Sequence, residues 1–417
     1  MITHPAVPLP DHVTERLGNG LSLIVSSLPT VPMIQACLAI PVTLDTADQL
    51  AAIDVMSAYW PDTDASRAFE QAGGSVGIDR QRDWLIVSLT ARAHLLRLLT
   101  ATLAAIVHGS YTDAGIDRAR ARCRHQATLI EATPAARSQQ DRWIARYGHL
   151  PIVLQAAPAP ATLDAVTTTA VTAIHHRQVT PERAHLLVVG DVDEDAVLDA
   201  VRADLGQWAR GPATDPQQRP APSGSPGLRT IAYPHWQQTH IRLAADATSG
   251  DDLEAFAAAT VASLVLGGNF ASRLTRQVRE DHGLAYQIAT RLDTHLGHTV
   301  LTLDADVNPA HAGQALQLIA AILTDMARTG PTDRELRAAA GYIAGMHTLV
   351  LGAQSSRASC LLSYLISAQP LTAVSDLPQL AAQLSPAQVR VAAESFTPQL
   401  VGGVVCGADD TEHRWGR

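Results

Sequence analysis

Apolar positions recur in the same order in the two halves of the chain. In the first half Trp84–Leu89 is an apolar-rich run of strand length. Behind it Leu95, Leu99, Leu103 and Ile106 fall at the three- and four-residue spacing of a helix with one buried face. In the second half Thr299–Leu303 reads as the matching strand, and Leu316, Ile319, Leu323 and Met326 as the matching helix. Each helix is followed by Thr-Asp, at Thr112-Asp113 and Thr332-Asp333, where a side-chain oxygen can accept from the free N–H groups of a further helix. The parallel runs on to Val179–Gly190 and Phe396–Gly407, each a Thr-Pro turn into an apolar strand. Strands mixed with long helices, twice over, predict an α+β protein of two similar sheet-plus-helix domains related by internal duplication. Gly211–Gly227 is rich in Pro, Gly and Ser and has no hydrophobic period. It predicts a linker over 211–227 between domains of residues 1–210 and 228–417.

Composition agrees with this and removes some functions. A chain of 417 residues exceeds one comfortable core. Its 47% hydrophobic and 17% charged residues fit a packed globular protein. A formal charge of -9 argues against binding a nucleic-acid backbone, which needs a basic face to displace counterions. All 31 basic residues are Arg and Ala is abundant, a bias expected of a GC-rich genome. The apolar run from Leu95 to Val107 is interrupted by Arg97, and no basic region leads into an apolar core at the N-terminus. A cytoplasmic protein with no membrane partner is therefore expected. Cys37, Cys123, Cys360 and Cys406 have neither CxxC nor CxH spacing and read as ordinary thiols.

The most specific stretch is Leu266–Tyr286, LGGNFASRLTRQVREDHGLAY. Gly267 and Gly268 permit a tight backbone, Ser272 to Asp281 has helical spacing through Leu274 and Val278, and Gly283 is placed to end that helix. Arg279 then falls in the last turn, with Tyr286 just beyond it. This stretch resembles the C-terminal domain signature of the insulinase-like peptidase family, also called M16 or pitrilysin-like, in the small-subunit branch that includes mitochondrial processing peptidase. Two further segments carry the resemblance: Glu15–Val25, similar to the family's opening hairpin with Asn19-Gly20 as its turn, and Phe69–Ser75, similar to the helix-to-GlyGly turn behind the zinc helix. The resemblance implies half of a clam-shell. It implies that Arg279 and Tyr286 hold a substrate backbone, the Arg as a fork of donors and the Tyr hydroxyl as an oxyanion donor.

Active members of that family carry HxxEH on the preceding helix, two His as zinc ligands and the Glu as base. The matching segment here is Gln49–Ser57, with Ala52, Val55 and Met56 at the three motif positions. Ala and Val have no donor atoms and a thioether is a poor zinc ligand, so the motif is degenerate. The distal Glu ligand of the family falls within Arg124–Glu131, where Gln126 and Glu131 stand, and one carboxylate would not complete a site. His175 and His176 are adjacent, so their rings diverge, ahead of a Thr-Pro turn near the surface. His235, His240, His295 and His298 have no acidic partners at ligand spacing and read as surface or edge-strand histidines.

The resemblance thus implies a non-catalytic, substrate-positioning subunit of a heterodimeric M16-type zinc metallopeptidase. No cofactor is expected in this chain, and zinc is expected in an HxxEH-containing partner. The substrate is a peptide, and in a bacterium with a GC-rich genome the resemblance points to the leader of a ribosomally made natural-product precursor. The alternative is a structural or binding pseudopeptidase with no part in catalysis. It is set against the presence of Arg279 and Tyr286.

Overall fold

The structure is a computed structural model that describes residues 7–81, 83–148, 158–211, 226–249, 252–295, 298–407 and Trp415. Residues 212–225, most of the Pro/Gly/Ser-rich segment, lie outside the described residues, as does the side chain of His295. The first half runs β1 (Val13–Arg16), β2 (Ser22–Ser27), β3 (Met33–Pro41), α1 (Ala47–Tyr59), α2 (Asp64–Gln71), β4 (Ser75–Gln81), β5 (Trp84–Arg92), α3 (Leu96–His108), α4 (Asp113–Glu131), α5 (Pro134–Tyr147), α6 (Pro160–Asp164), α7 (Thr168–Gln178), β6 (His185–Gly190) and α8 (Glu194–Leu205). The second runs β7 (Gly227–Ala232), β8 (Thr239–Ser249), α9 (Leu253–Ser263), β9 (Ala285–His295), β10 (His298–Val307), α10 (Ala312–Thr329), α11 (Asp333–Leu351), α12 (Gln354–Ile366), α13 (Ala373–Gln383), α14 (Pro386–Ala393) and β11 (Gly402–Gly407). The α+β class expected from the pattern is what these elements form.

Among the described residues the strands make two sheets, ordered β1-β2-β6-β3-β5-β4 and β7-β11-β8-β10-β9. The opening hairpin turns at Asn19-Gly20, where Gly20 takes a φ of +101°, a left-handed value that a Cβ disfavours. Asn19 donates to the Leu205 carbonyl at 2.8 Å, which ties that turn to the end of α8. Both Thr-Asp pairs act as expected. Thr112 caps α4 by accepting from Gly115 N, and Thr332 caps α11 in a reciprocal capping box with Glu335.

Each sheet is covered on one face by helices of its own half and on the other by a helix of the opposite half. Along β3, Ile34, Ala36, Leu38 and Ile40 enter the first-half core, while Cys37 and Ala39 pack with Ala358, Leu361 and Leu362 of α12. β6 divides in the same way, Leu186 and Val188 to one side, Leu187 and Val189 to the other. Burial on both faces explains why these strands are continuously apolar. Gln354, at the start of α12, seals the join by donating to the carbonyls of Leu28 and Val31 at 2.8 and 2.9 Å.

The second sheet is built differently. Leu243, Ala245, Leu301, Leu303 and Ala305 face its own core, whereas the alternate positions of β8 and β10 are His240, Arg242, Asp304 and Asp306. The first-half helix α5 lies over that polar face, with Arg142 paired to Asp304 and Asp141 accepting from Tyr233 at 2.7 Å. Trp143 and Tyr147 add apolar contact to Ala244 and Val300. No helix among the described residues is long and apolar enough to cross a membrane.

One histidine expected near the surface is instead buried in the first core. His175 is 3% exposed, with Nε2 2.9 Å from the Val107 carbonyl and Nδ1 2.5 Å from the Tyr111 hydroxyl, which also accepts from Trp60 Nε1 at 3.1 Å. The sequence pattern hides this because Tyr111 and Trp60 lie on other elements. Burial pulls His175 down from 6.5 to about 4. Its folded value is depressed, so between pH 6.5 and about 4 the unfolded chain takes a proton that the folded chain refuses, and stability falls as pH falls through that window. The loss by pH 4 should be on the order of 3 kcal/mol. Urea unfolding at pH 7 and pH 4.5 checks it, and His175→Gln should flatten the dependence.

Candidate functional site

The degenerate zinc positions belong to the core. Helix α1 starts where Thr46 accepts from Gln49 N, and it packs between the first sheet and helices α4 and α7. Such a surrounded helix buries nearly its whole circumference: Ala52 is 4% exposed, and Val55 and Met56 are 0% exposed. None of the three offers a nitrogen or oxygen donor, so the residues present do not fit a zinc ion. Gln126 and Glu131 are both exposed on α4. Among the described residues no group of three or more His, Cys, Asp or Glu side chains is placed to hold a metal.

The polar contact of α1 in this stretch is Asp54, which Arg80 of β4 grips through Nε at 2.5 Å and a second nitrogen at 3.3 Å. Burial pushes the Asp54 carboxyl up, and Arg80 opposes the shift. This pair ties the edge strand β4 to α1.

The Arg279/Tyr286 pair stands on the second half. Gly267 and Gly268 let the chain pass close to β9: a Cβ on Gly267 would lie 2.9 Å from Thr290 N, so no side chain fits there. After them comes a helical segment that is wide-turned over Thr275–Asp281, a π-helix where α-helical spacing was expected. Leu274 and Val278 still anchor it in the core. The segment ends as expected at Gly283, whose φ is +61° and whose N–H reaches the Arg279 carbonyl at 3.1 Å, while Leu284 N reaches the Val278 carbonyl at 2.9 Å. Arg279 and Tyr286 therefore lie on either side of this turn, and both are exposed. Neither side chain has a hydrogen-bond or ion-pair partner among the described residues.

Tyr286 owes its position to a bulge. β9 is the edge strand of the second sheet, and its register against β10 slips between Asp306 and Val307: Gln287 pairs with Asp306, Ala285 pairs with Val307, and Tyr286 is left between them without an opposite residue. A bulged residue is turned out of the pleat and re-aimed, and Tyr286 is 79% exposed. It borders a cleft of about 530 Å³ with Gln237, Gln238, Asp306 and Asn308. Asp306 is held by His240 at 2.7 Å and Arg242 at 2.7 Å. Burial would push its carboxyl up, but these two partners outweigh it and the carboxyl is lowered. His240 was expected at a surface or edge without an acidic partner. It is 5% exposed on an interior strand, and its partner arrives from β10, across the sheet and out of sequence reach.

A second, larger cavity of about 930 Å³ lies between the two halves, bordered by Arg80 and Trp84, by Thr290–Thr294 of β9, and by Met346, His347 and Tyr364. His347 is locked there, Nδ1 to the Ile343 carbonyl at 2.9 Å and Nε2 to the Tyr364 hydroxyl at 2.9 Å. Arg279 and Tyr286 do not line this cavity. Residues of the edge strands β4 and β9 both line it, and an edge offers free backbone groups to an extended chain.

Residues 165–341 match the family model of the peptidase M16 inactive domain. Among curated proteins, an uncharacterized zinc protease of Mycobacterium leprae is 31% identical over 215 residues, 51% of this chain and 47% of that protein. One from Mycobacterium tuberculosis is 31% identical over 220 residues, 52% of this chain and 50% of that protein. The chain thus spans about half the length of the curated relatives it matches. Among solved structures, the peptidase M16 inactive domain from Pseudomonas fluorescens superposes with a TM-score of 0.85 at 19% identity, covering 97% of this chain and 99% of that one. A protease from Helicobacter pylori gives 0.83 at 18%, covering 96% and 100%. Fold and sequence agree: residues 165–341 match the inactive domain of the M16 peptidase family, and the chain shares its fold with a solved structure of that domain.

Proposed function

We propose that this chain is the non-catalytic, substrate-positioning subunit of a heterodimeric M16-type zinc peptidase. The reading rests chiefly on Tyr286, an exposed phenol at the bulge of an edge strand, with no partner among the described residues and with exposed Arg279 across the turn before it. A phenol and a guanidinium left free in this way suit a peptide carbonyl, the Tyr as a hydroxyl donor and the Arg as a fork. The packed positions Ala52, Val55 and Met56 supply no metal chemistry. Zinc and the base then come from a partner bearing HxxEH. The substrate is an extended peptide held by strand addition, with backbone hydrogen bonds for affinity, and the leader of a ribosomally made precursor is the substrate favoured.

The test is to purify the chain alone and together with an HxxEH-containing M16 protein of the same genome. Zinc content and cleavage of a precursor peptide are then measured in each preparation. The expected result is activity and zinc only in the mixture. Stoichiometric zinc and cleavage by this chain alone would overturn the reading. A stable pair whose rate is indifferent to both Arg279 and Tyr286 would instead favour a structural pseudopeptidase.

A further inference from the structure

Where α5 crosses the second sheet, the interface holds a concentration of buried polar atoms without hydrogen-bond partners among the described residues. Six buried side-chain polar atoms lack a hydrogen-bond partner among the described residues, and four of them lie here: Arg142 Nε, Arg146 Nε, Tyr147 OH and Arg242 Nε. Buried polar atoms are nearly always paired, so such a concentration calls for a physical reason. The last turns of α5 also wall a cavity of about 390 Å³ together with Gly227 of β7 and Gly402 of β11. Its charged side chains are Arg142, Arg146 and Arg229, against Asp246 alone.

The carboxylates nearby are already committed. Asp246 receives Arg146, and Asp304 is shared by Arg142, Arg242 and Arg291. Arg142 has a side chain only 3% exposed, and its Nε is one of the unpaired atoms. Arg229, on the edge strand β7, is exposed and has no partner among the described residues. Three guanidinium groups around one carboxylate make a positive concavity in a chain whose net charge is -9.

We propose that this cavity binds an oxyanion, a phosphate or carboxylate group carried on a small molecule, through the guanidinium groups of Arg229 and Arg146 with Arg142 behind them. Guanidinium forks match the oxygens of both anions, and a charge-assisted pair is about twice as strong as a neutral hydrogen bond. The volume lies toward the lower end of the range of ligand pockets, which suits a small acidic metabolite and not a macromolecule. Nothing in this assignment depends on the peptidase reading. The cavity is separate from the cleft at Tyr286 and shares none of its lining residues.

The experiment uses the full chain in a chloride buffer at constant ionic strength. Inorganic phosphate and succinate are titrated separately, followed by calorimetry and by thermal unfolding. A saturable isotherm with a matching rise in unfolding temperature is expected for at least one of them, and the responding arm distinguishes a phosphate from a carboxylate ligand. Arg229→Gln removes a guanidinium that has no hydrogen-bond or ion-pair partner among the described residues. It should leave unliganded unfolding unchanged and weaken apparent affinity about tenfold. Non-saturating isotherms for both anions, or identical affinities in wild type and Arg229→Gln, would overturn the proposal.

Discussion

If the chain pairs with an HxxEH-bearing subunit as proposed, replacing Tyr286 with Phe is expected to slow peptide cleavage by the pair on the order of a hundredfold, as the loss of one oxyanion donor does. The substitution is informative because of where the residue sits. Its ring is 79% exposed and its hydroxyl makes no hydrogen bond among the described residues, so Phe leaves no buried group unsatisfied. The bulge that presents it is set by backbone register between β9 and β10, which Phe does not change. Stability of the chain alone should therefore stay within about 0.5 kcal/mol of wild type, and the proposed pairing with an HxxEH-bearing subunit should persist. If the hydroxyl acts on developing charge, kcat falls and KM does not. Arg279→Lys should give the complementary pattern: it keeps the charge but loses the planar fork, so KM rises more than kcat falls. Single-turnover rates of the reconstituted pair decide the matter, and an unchanged rate for the Phe variant would remove Tyr286 from the reaction.

What the sequence made legible, and what it did not, divides by the range of the interactions. Features fixed by a few neighbouring residues were readable. Asn19-Gly20 turns because Gly20 accepts a left-handed φ, Thr112 and Thr332 cap because their oxygens reach an N–H three residues on, and Gly283 ends the helix ahead of Tyr286. Features fixed by pairing across the fold were not readable. The helix-to-π change over Thr275–Asp281 and the bulge at Tyr286 depend on how the segment meets β9 and β10, and no local spacing encodes that register. The crossing of α5 and α12 to the opposite sheets escaped for a related reason. The α5 sequence PAARSQQDRWIARY shows little apolar periodicity, because the face it covers is itself polar, and a helix that buries arginines against aspartates looks solvent-exposed in a hydrophobicity pattern. His240 looks solitary in the sequence because its partner Asp306 lies on another strand, 2.7 Å away in space.

Arg273 is the main electrostatic anchor of the Arg279/Tyr286 segment, and Arg273→Met should cost the fold roughly 3 kcal/mol. Arg273 is the first charged residue of the signature helix and its side chain is only 9% exposed. It grips Glu335 through two nitrogens at 2.8 Å each, reaches Asp325 at 3.2 Å, and donates to the Gly330 carbonyl at 2.9 Å. Gly330 closes α10 and Glu335 completes the capping box of α11, so one guanidinium joins three helices. Met fills much of the volume but leaves Glu335 without its cation and the Gly330 carbonyl without that donor, the costly way to break such a pair. The pH dependence is a second signature. Burial pushes Glu335 up, but Arg273 and Thr332 outweigh it and hold the carboxyl down at about 2. A depressed carboxyl adds stability above its unfolded value near 4.5, and that stability drains away as pH falls toward 2. The gap between wild type and Arg273→Met in urea unfolding should therefore be full at pH 7 and narrower at pH 3. Because Glu335 is partly solvated, the narrowing is a direction to be read and not a fixed increment. In a double-mutant cycle, Arg273→Met with Glu335→Gln should show coupling of about 1 kcal/mol or more. Additive losses would mean that packing, and not the ion pair, holds the segment that presents Arg279 and Tyr286.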